Sequence, residues 1–145
     1  MPKGTTFDND LLKLIFQNTA IANIGNAGGL QPSGVAGSLY VALHTADPSA
    51  GNQSTNEVSY TGGYARIAVA RSAGGFTVST NTVTFVAAVT FAACTGGTAT
   101  ATYFSIGSLS SGAGEILYSG TLTPNIAIAN GVTPQIAAAS SVTET

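Results

Sequence analysis

Acid–base chemistry in this sequence has one local candidate, His44 with Asp47, at the end of the run Ser38–His44. A histidine oriented by a carboxylate is the arrangement of a general base. The same residues equally describe a histidine hydrogen-bonded at a strand end and an Asp-Pro turn at Asp47-Pro48. No G-x-S-x-G motif supplies an elbow nucleophile, so the structural reading is the expected one. Cys94, in Ala92-Ala93-Cys94-Thr95, has the chemistry of a nucleophile. Among alanines, however, a thiol behaves as a compact buried apolar group. Asp8-Asn9-Asp10 resembles the opening of a calcium loop, yet no glycine and glutamate follow at the required spacing. The pairs Gly28-Gly29, Gly62-Gly63, Gly74-Gly75 and Gly96-Gly97 match neither phosphate-cradling pattern and read as turns. Tyr60, Tyr64, Tyr103 and Tyr118 have the composition of a sugar-binding surface, although strand tyrosines usually serve half-buried packing. No catalytic residue, cofactor site or metal site is expected.

Composition narrows the field further. Charged residues make up 7% of the chain, against about 25% in ordinary soluble domains. Four Lys plus Arg stand against six Asp plus Glu, a net charge of −2 with no block of like charge. Four scattered cations cannot supply the counterion release of nucleic-acid binding, nor a polybasic membrane anchor. No partner of either kind is expected. One cysteine excludes an intrachain disulfide, and one histidine excludes a multi-histidine metal site. The N-terminal residues do not read as a targeting segment, because Asp8, Asn9 and Asp10 interrupt before an apolar run begins. No stretch reaches the roughly 18 apolar residues of a membrane span. Synthesis in the cytoplasm and solubility until assembly are the expectation. A 14.3 kDa globule exposes roughly 6,800 Å², and a surface so poor in charge suits contact with other subunits.

The elements that must position these residues follow from periodicity. Leu11, Leu14, Ile15 and Asn18 have helical spacing, and Leu12 and Phe16 widen the apolar face. With Thr6 as N-cap, Asp8 and Asp10 in the first turn and Gly25 as the stop, a helix is predicted over 7–23. Residues 25–37 read as a loop or extended arm rich in Gly, Asn, Pro and Ser. Beyond them the period becomes two. Strands are predicted at Ser38–His44, Tyr64–Arg71, Phe76–Ser79, Thr82–Val86, Val89–Phe91, Thr98–Ile106, Glu115–Gly120, Asn125–Ala129 and Ser140–Glu144. In the second of these, Ala65, Ile67 and Val69 are assigned to the core face and Tyr64 and Arg66 to the other. The fold class is therefore all-β, an antiparallel sandwich of about eight to ten short strands with one N-terminal helix. Residues 1–36 form the helix and arm and residues 37–145 the β-sandwich of a single domain overall.

Three runs carry a resemblance. Gly37-Ser38-Leu39-Tyr40-Val41-Ala42-Leu43-His44-Thr45-Ala46-Asp47-Pro48, Asn56 through Val69, and Ala92-Ala93-Cys94-Thr95-Gly96-Gly97 are similar to a family of small tailed-phage structural proteins. The likeness covers nearly the whole chain; it departs in the double glycine before Tyr64 and in the lack of a tryptophan near Phe76. The resemblance, strongest to capsid cement (decoration) proteins, implies a jelly-roll-like sandwich on the capsid exterior. It further implies a non-enzymatic role, clamping neighbouring subunits of the major capsid protein, with a homodimer on the shell. Leu11, Leu12, Ile15 and Phe16 are the expected partner interface, unless the helix packs on its own domain. The alternative within the same family is a tail fibre or tail-tip component recognising a host surface, with Tyr60 and Tyr64 as the candidate contacts.

Overall fold

The computed structural model describes residues 3–145; Met1 and Pro2, which open the segment read as helix and arm, lie outside the described residues. Among the described residues one helix, α1 (Thr5–Gln17), precedes nine strands: β1 (Ser38–His44), β2 (Ile67–Ala70), β3 (Phe76–Ser79), β4 (Thr82–Phe85), β5 (Val89–Thr90), β6 (Ala99–Gly107), β7 (Ile116–Ile128), β8 (Gln135–Ile136) and β9 (Ser141–Thr143). They form sheets of order β2-β1-β6-β7, β3-β4-β9 and β5-β8, and the fold is all-β with antiparallel sheets. By contact the chain divides into two compact units. Among the described residues, one holds 3–38, 69–87 and 137–145, the other 39–68 and 88–136.

In the first unit α1 packs on β3 and β4. Leu12 and Phe16, one turn apart, are fully buried. The Phe16 ring meets Phe76 edge-on at 4.9 Å, and Phe76 lies 5.6 Å from Phe85. Such aromatic pairs contribute about 0.5–1.5 kcal/mol beyond their buried area. β4 is central, pairing Phe85 with Phe76 on one side and Val83 with Val142 on the other.

The helix is shorter at its C-terminal end than its apolar pattern predicts, and both caps differ. Gly4, in extended conformation, is the N-cap, so Thr6 lies inside the helix, and Asp8 alone supplies first-turn acid. At the other end Asn18 turns left-handed, φ 55°, and Thr19 N–H reaches back to Lys13 O at 3.2 Å. The Asn18 side chain then clasps Ser33, donating to its carbonyl and accepting from its N–H, both at 2.9 Å. Gly25 is left-handed too, but lies in a later turn. The last turn contains no basic residue; Arg71 supplies one from outside it, donating to Ile15 O at 2.6 Å and Leu14 O at 2.7 Å. A cation on the last carbonyls opposes the negative helix end. Lys3 joins the two ends of the chain, 2.6 Å from Glu144 and 3.9 Å from Asp8.

The second unit is built on β1, β6 and β7. β1 pairs with β6 from Tyr40↔Gly107 to His44↔Tyr103, and Val41 through His44 are all buried, so both faces of that strand are covered. β7 is one strand where two were predicted. Its register against β6 jumps from Ala101↔Ile126 to Tyr103↔Thr121, leaving Leu122–Asn125 opposite Thr102 alone. Pro124 falls in that bulge of an edge strand, where it removes no ladder bond. β8, pairing Ile136 with Val89, was not foreseen.

Candidate functional site

A carboxylate and a guanidinium organise the second unit. Glu57 bridges to the end of β1: Val58 N–H donates to Leu43 O and Thr45 N–H to Asn56 O. Nine residues on, Arg66 donates from Nε to Glu57 Oε1 and from Nη2 to Oε2, both at 2.8 Å. Two parallel charge-assisted bonds are the strongest form this pair takes. Nη1 also donates to Leu109 O at 3.0 Å and Nη2 to Gly112 O at 2.7 Å. The buried guanidinium therefore fixes the loop after β6 as well as the carboxylate. The hydrogen bond to Glu57 raises the Arg66 pKa further.

Tyr64 completes the group. Its hydroxyl accepts from Leu43 N–H at 3.0 Å and donates to Glu57 Oε1 at 3.2 Å. Burial pushes its pKa well up, so it remains a neutral phenol. Its ring stacks on Phe91 at 5.9 Å and 11°, and Tyr60 meets it edge-on at 5.4 Å. Gly62 makes this approach possible: its φ is +124°, and a Cβ there would run into Ala93 O. The segment 60–64 is thereby laid against 93–95, with Thr61 bridged to Gly96.

Beside these residues opens a cavity of about 360 Å³, lined by Glu57, Val58, Ser59, Tyr64, Ala65, Arg66 and the loop Ser110–Gly112. The facing predicted for this segment is reversed at Ala65 and Arg66 only; further on, Ile67 and Val69 are half-buried and Ala68 and Ala70 exposed. Ala65 is exposed and Arg66 buried, and regular strand begins only at Ile67. Alternation alone assigns a charged residue outward; Glu57 holds this one inward.

The remaining candidates are placed apart from the cavity lining. His44 is fully buried; Nδ1 is 2.9 Å from Thr55 O and Nε2 2.8 Å from Ser105 Oγ. A carbonyl only accepts, so Nδ1 carries the proton and Nε2 accepts from the serine. Desolvation lowers the His44 pKa and keeps the ring neutral. Asp47 instead accepts from Ser49 N–H at 2.9 Å, an Asx turn that lowers its pKa. The two form no dyad. Cys94 is buried, its thiol donating to Gly96 O at 3.3 Å. The Tyr60 hydroxyl donates to Ala92 O at 2.6 Å, and burial raises its pKa. Tyr103 and Tyr118 are half-buried on β6 and β7. Asp8 pairs with Lys3, and among the described residues no group of His, Cys, Asp or Glu is arranged to hold a metal.

The expected partner interface is divided by the structure. Leu12 and Phe16 are buried in the core of their own unit, whereas Leu11 and Ile15 are half-buried. The exposed large apolar side chains of that unit are elsewhere: Phe7, Ile24, Leu30, Val35 and Val86. Sequence reasoning also missed Gln53, which lies between the first two predicted strands. It is fully buried, donating to Tyr40 O at 3.2 Å and accepting from Leu109 N–H at 3.0 Å. The signals for it are distant: a Cβ on Gly107 or on Gly114 would occupy the space of the Gln53 amide.

A family model described as Podophage GP4 fiber I protein gp80 matches residues 3–144. No curated protein matches the chain.

Proposed function

The chain belongs to the family of the Podophage GP4 fiber I protein gp80, and from that membership we propose that it is a fibre component of a short-tailed phage virion, contacting a host surface. The observation that carries this is a family match over nearly the entire chain. It supports the fibre reading ahead of the capsid-cement reading, which rests on the sequence resemblance alone. The role is structural and non-enzymatic: His44 and Asp47 are committed to separate structural bonds.

Self-association is part of the proposal, in place of the major capsid protein as partner. β7 is an edge strand, and Ile116–Ile128 contains no charged residue to discourage pairing with a second copy. The host-facing contacts are assigned to Tyr60, Tyr64 and the cavity beside them. Virions labelled with gold-conjugated antibodies against the purified chain test the location by electron microscopy. Label on fibres at the tail is the expected result. Label spread over the icosahedral shell would overturn the fibre reading in favour of the cement one.

A further inference from the structure

We infer that the cavity walled by Glu57, Tyr64, Arg66 and the Ser110–Gly112 loop binds a neutral carbohydrate, a short segment of a surface glycan. The glycan's source rests on the fibre reading; the ligand chemistry rests on the cavity alone.

Size and preorganisation come first. At about 360 Å³ the cavity falls at the small end of ligand sites, which span about 300–1,000 Å³. Its wall is already fixed, because Arg66 holds Leu109 O, Gly112 O and both oxygens of Glu57. The Tyr64 hydroxyl is likewise held between Leu43 and Glu57. A wall ordered before binding spares the ligand that entropy cost.

Charge then selects the ligand class. Glu57 and Arg66 neutralise one another, so an anion would have to take Arg66 from Glu57, and a cation would have to take Glu57 from Arg66. Either exchange breaks a largely buried pair. A neutral ligand leaves it intact. The groups that remain are short and polar. Ser59, Ser110 and Ser111 are exposed hydroxyls, each both donor and acceptor. The N–H groups of Ser110 and Ser111 have no acceptor among the described residues. Beside them lie exposed Ala65 and half-buried Tyr64, with Val58 buried behind. Uncharged donors and acceptors next to an aromatic ring complement a sugar, which carries hydroxyls on its rim and C–H groups on its faces.

The test uses the full chain with a panel of methyl glycosides, neutral (glucoside, galactoside, mannoside, N-acetylglucosaminide) and anionic (glucuronide, sialoside), read by saturation-transfer and amide-shift NMR. At least one neutral glycoside is expected to shift the amides of residues 57–66 and 110–112. Ser111→Trp, on the exposed loop, is expected to weaken that binding at least tenfold with thermal unfolding unchanged. Should that variant lose its fold, Ser59→Trp fills the cavity from the other lining segment. The inference is overturned if no neutral glycoside moves those amides, if only anionic ones do, or if a folded cavity-filling variant binds as well as wild type. Gold label on tail fibres with no glycoside response removes the carbohydrate inference alone. A glycoside response with label on the shell removes the fibre reading alone.

Discussion

The two units of this chain use their few charged residues differently. The first has an aromatic interior of Phe16, Phe76 and Phe85, and its charges act at chain ends: Lys3 with Glu144 and Asp8, and Arg71 on the last carbonyls of α1. The second builds polar groups into its interior, where His44, Gln53 and Arg66 are buried and hydrogen-bonded. Buried polar groups cost stability unless every bond is made, so they specify one arrangement strongly. Five of the ten charged residues (Lys3, Asp8, Glu57, Arg66 and Glu144) are ion-paired within the chain, and Arg71 is held by the α1 carbonyls. The low charge of the outer surface follows from this placement as much as from composition. It leaves a surface suited to contact with other subunits.

The sharpest way to break the comparison is at the aromatic centre. Phe16→Ala removes a fully buried ring and is expected to cost about 3–5 kcal/mol, read as a lower denaturation midpoint. Hydrogen exchange should place the loss in residues 5–17 and 76–85. Protection unchanged there would mean that the helix is held by something other than its own core. Next is the internal ion pair. Glu57→Ala leaves Arg66 buried without its counter-charge, at about 3 kcal/mol, whereas Glu57→Leu combined with Arg66→Met should recover much of that loss. A double variant as unstable as the single one would show that the bonds to Leu109 and Gly112 matter more than the pair.

A smaller effect is expected at the helix end. Arg71→Met removes two charge-assisted bonds to α1 carbonyls and should cost about 2 kcal/mol, with Arg71→Lys failing to restore it. Equal stability of the lysine variant would reduce the contact to a point charge. The mildest test is pH. Burial holds the His44 pKa below its ordinary value, so the unfolded chain takes up a proton first as pH falls below about 6.5. That stability is fully present above this value and declines below it, by at most about 1.4 kcal/mol per pH unit. Denaturation of wild type and His44→Gln at pH 7.5 and 5.5 should show a steeper acid loss in wild type. Parallel losses would assign the slope to carboxylates.

Much of the fold was legible because local pattern and burial agree. Alternation located β1, β3, β4 and β9 to within a residue, and the apolar spacing around Leu12 and Phe16 located α1. The failures share a physical cause, an interaction between residues distant in sequence. α1 ends at Gln17 because Asn18 is clasped by Ser33 and Arg71 reaches its carbonyls, which no helical spacing encodes. Ala65 and Arg66 exchange faces because Glu57, nine residues earlier, draws the guanidinium inward. β7 is continuous through Pro124 because its partner strand tolerates a bulge. The candidate site was half legible: Tyr60 and Tyr64 stood out by type, but the pair that shapes their surroundings gave no local signal. The same apolar spacing that found the helix also suggested a docking face, and it could not distinguish a partner's surface from the chain's own β3 and β4.

The central claim, that this is a fibre component of the virion, is tested most directly by its copy number. Quantitative mass spectrometry of purified virions, calibrated against the major shell subunit, measures it without labelling. The account predicts a ratio of a few per cent, as for a protein confined to the tail. A ratio near one-to-one would contradict it and make the chain part of the capsid lattice.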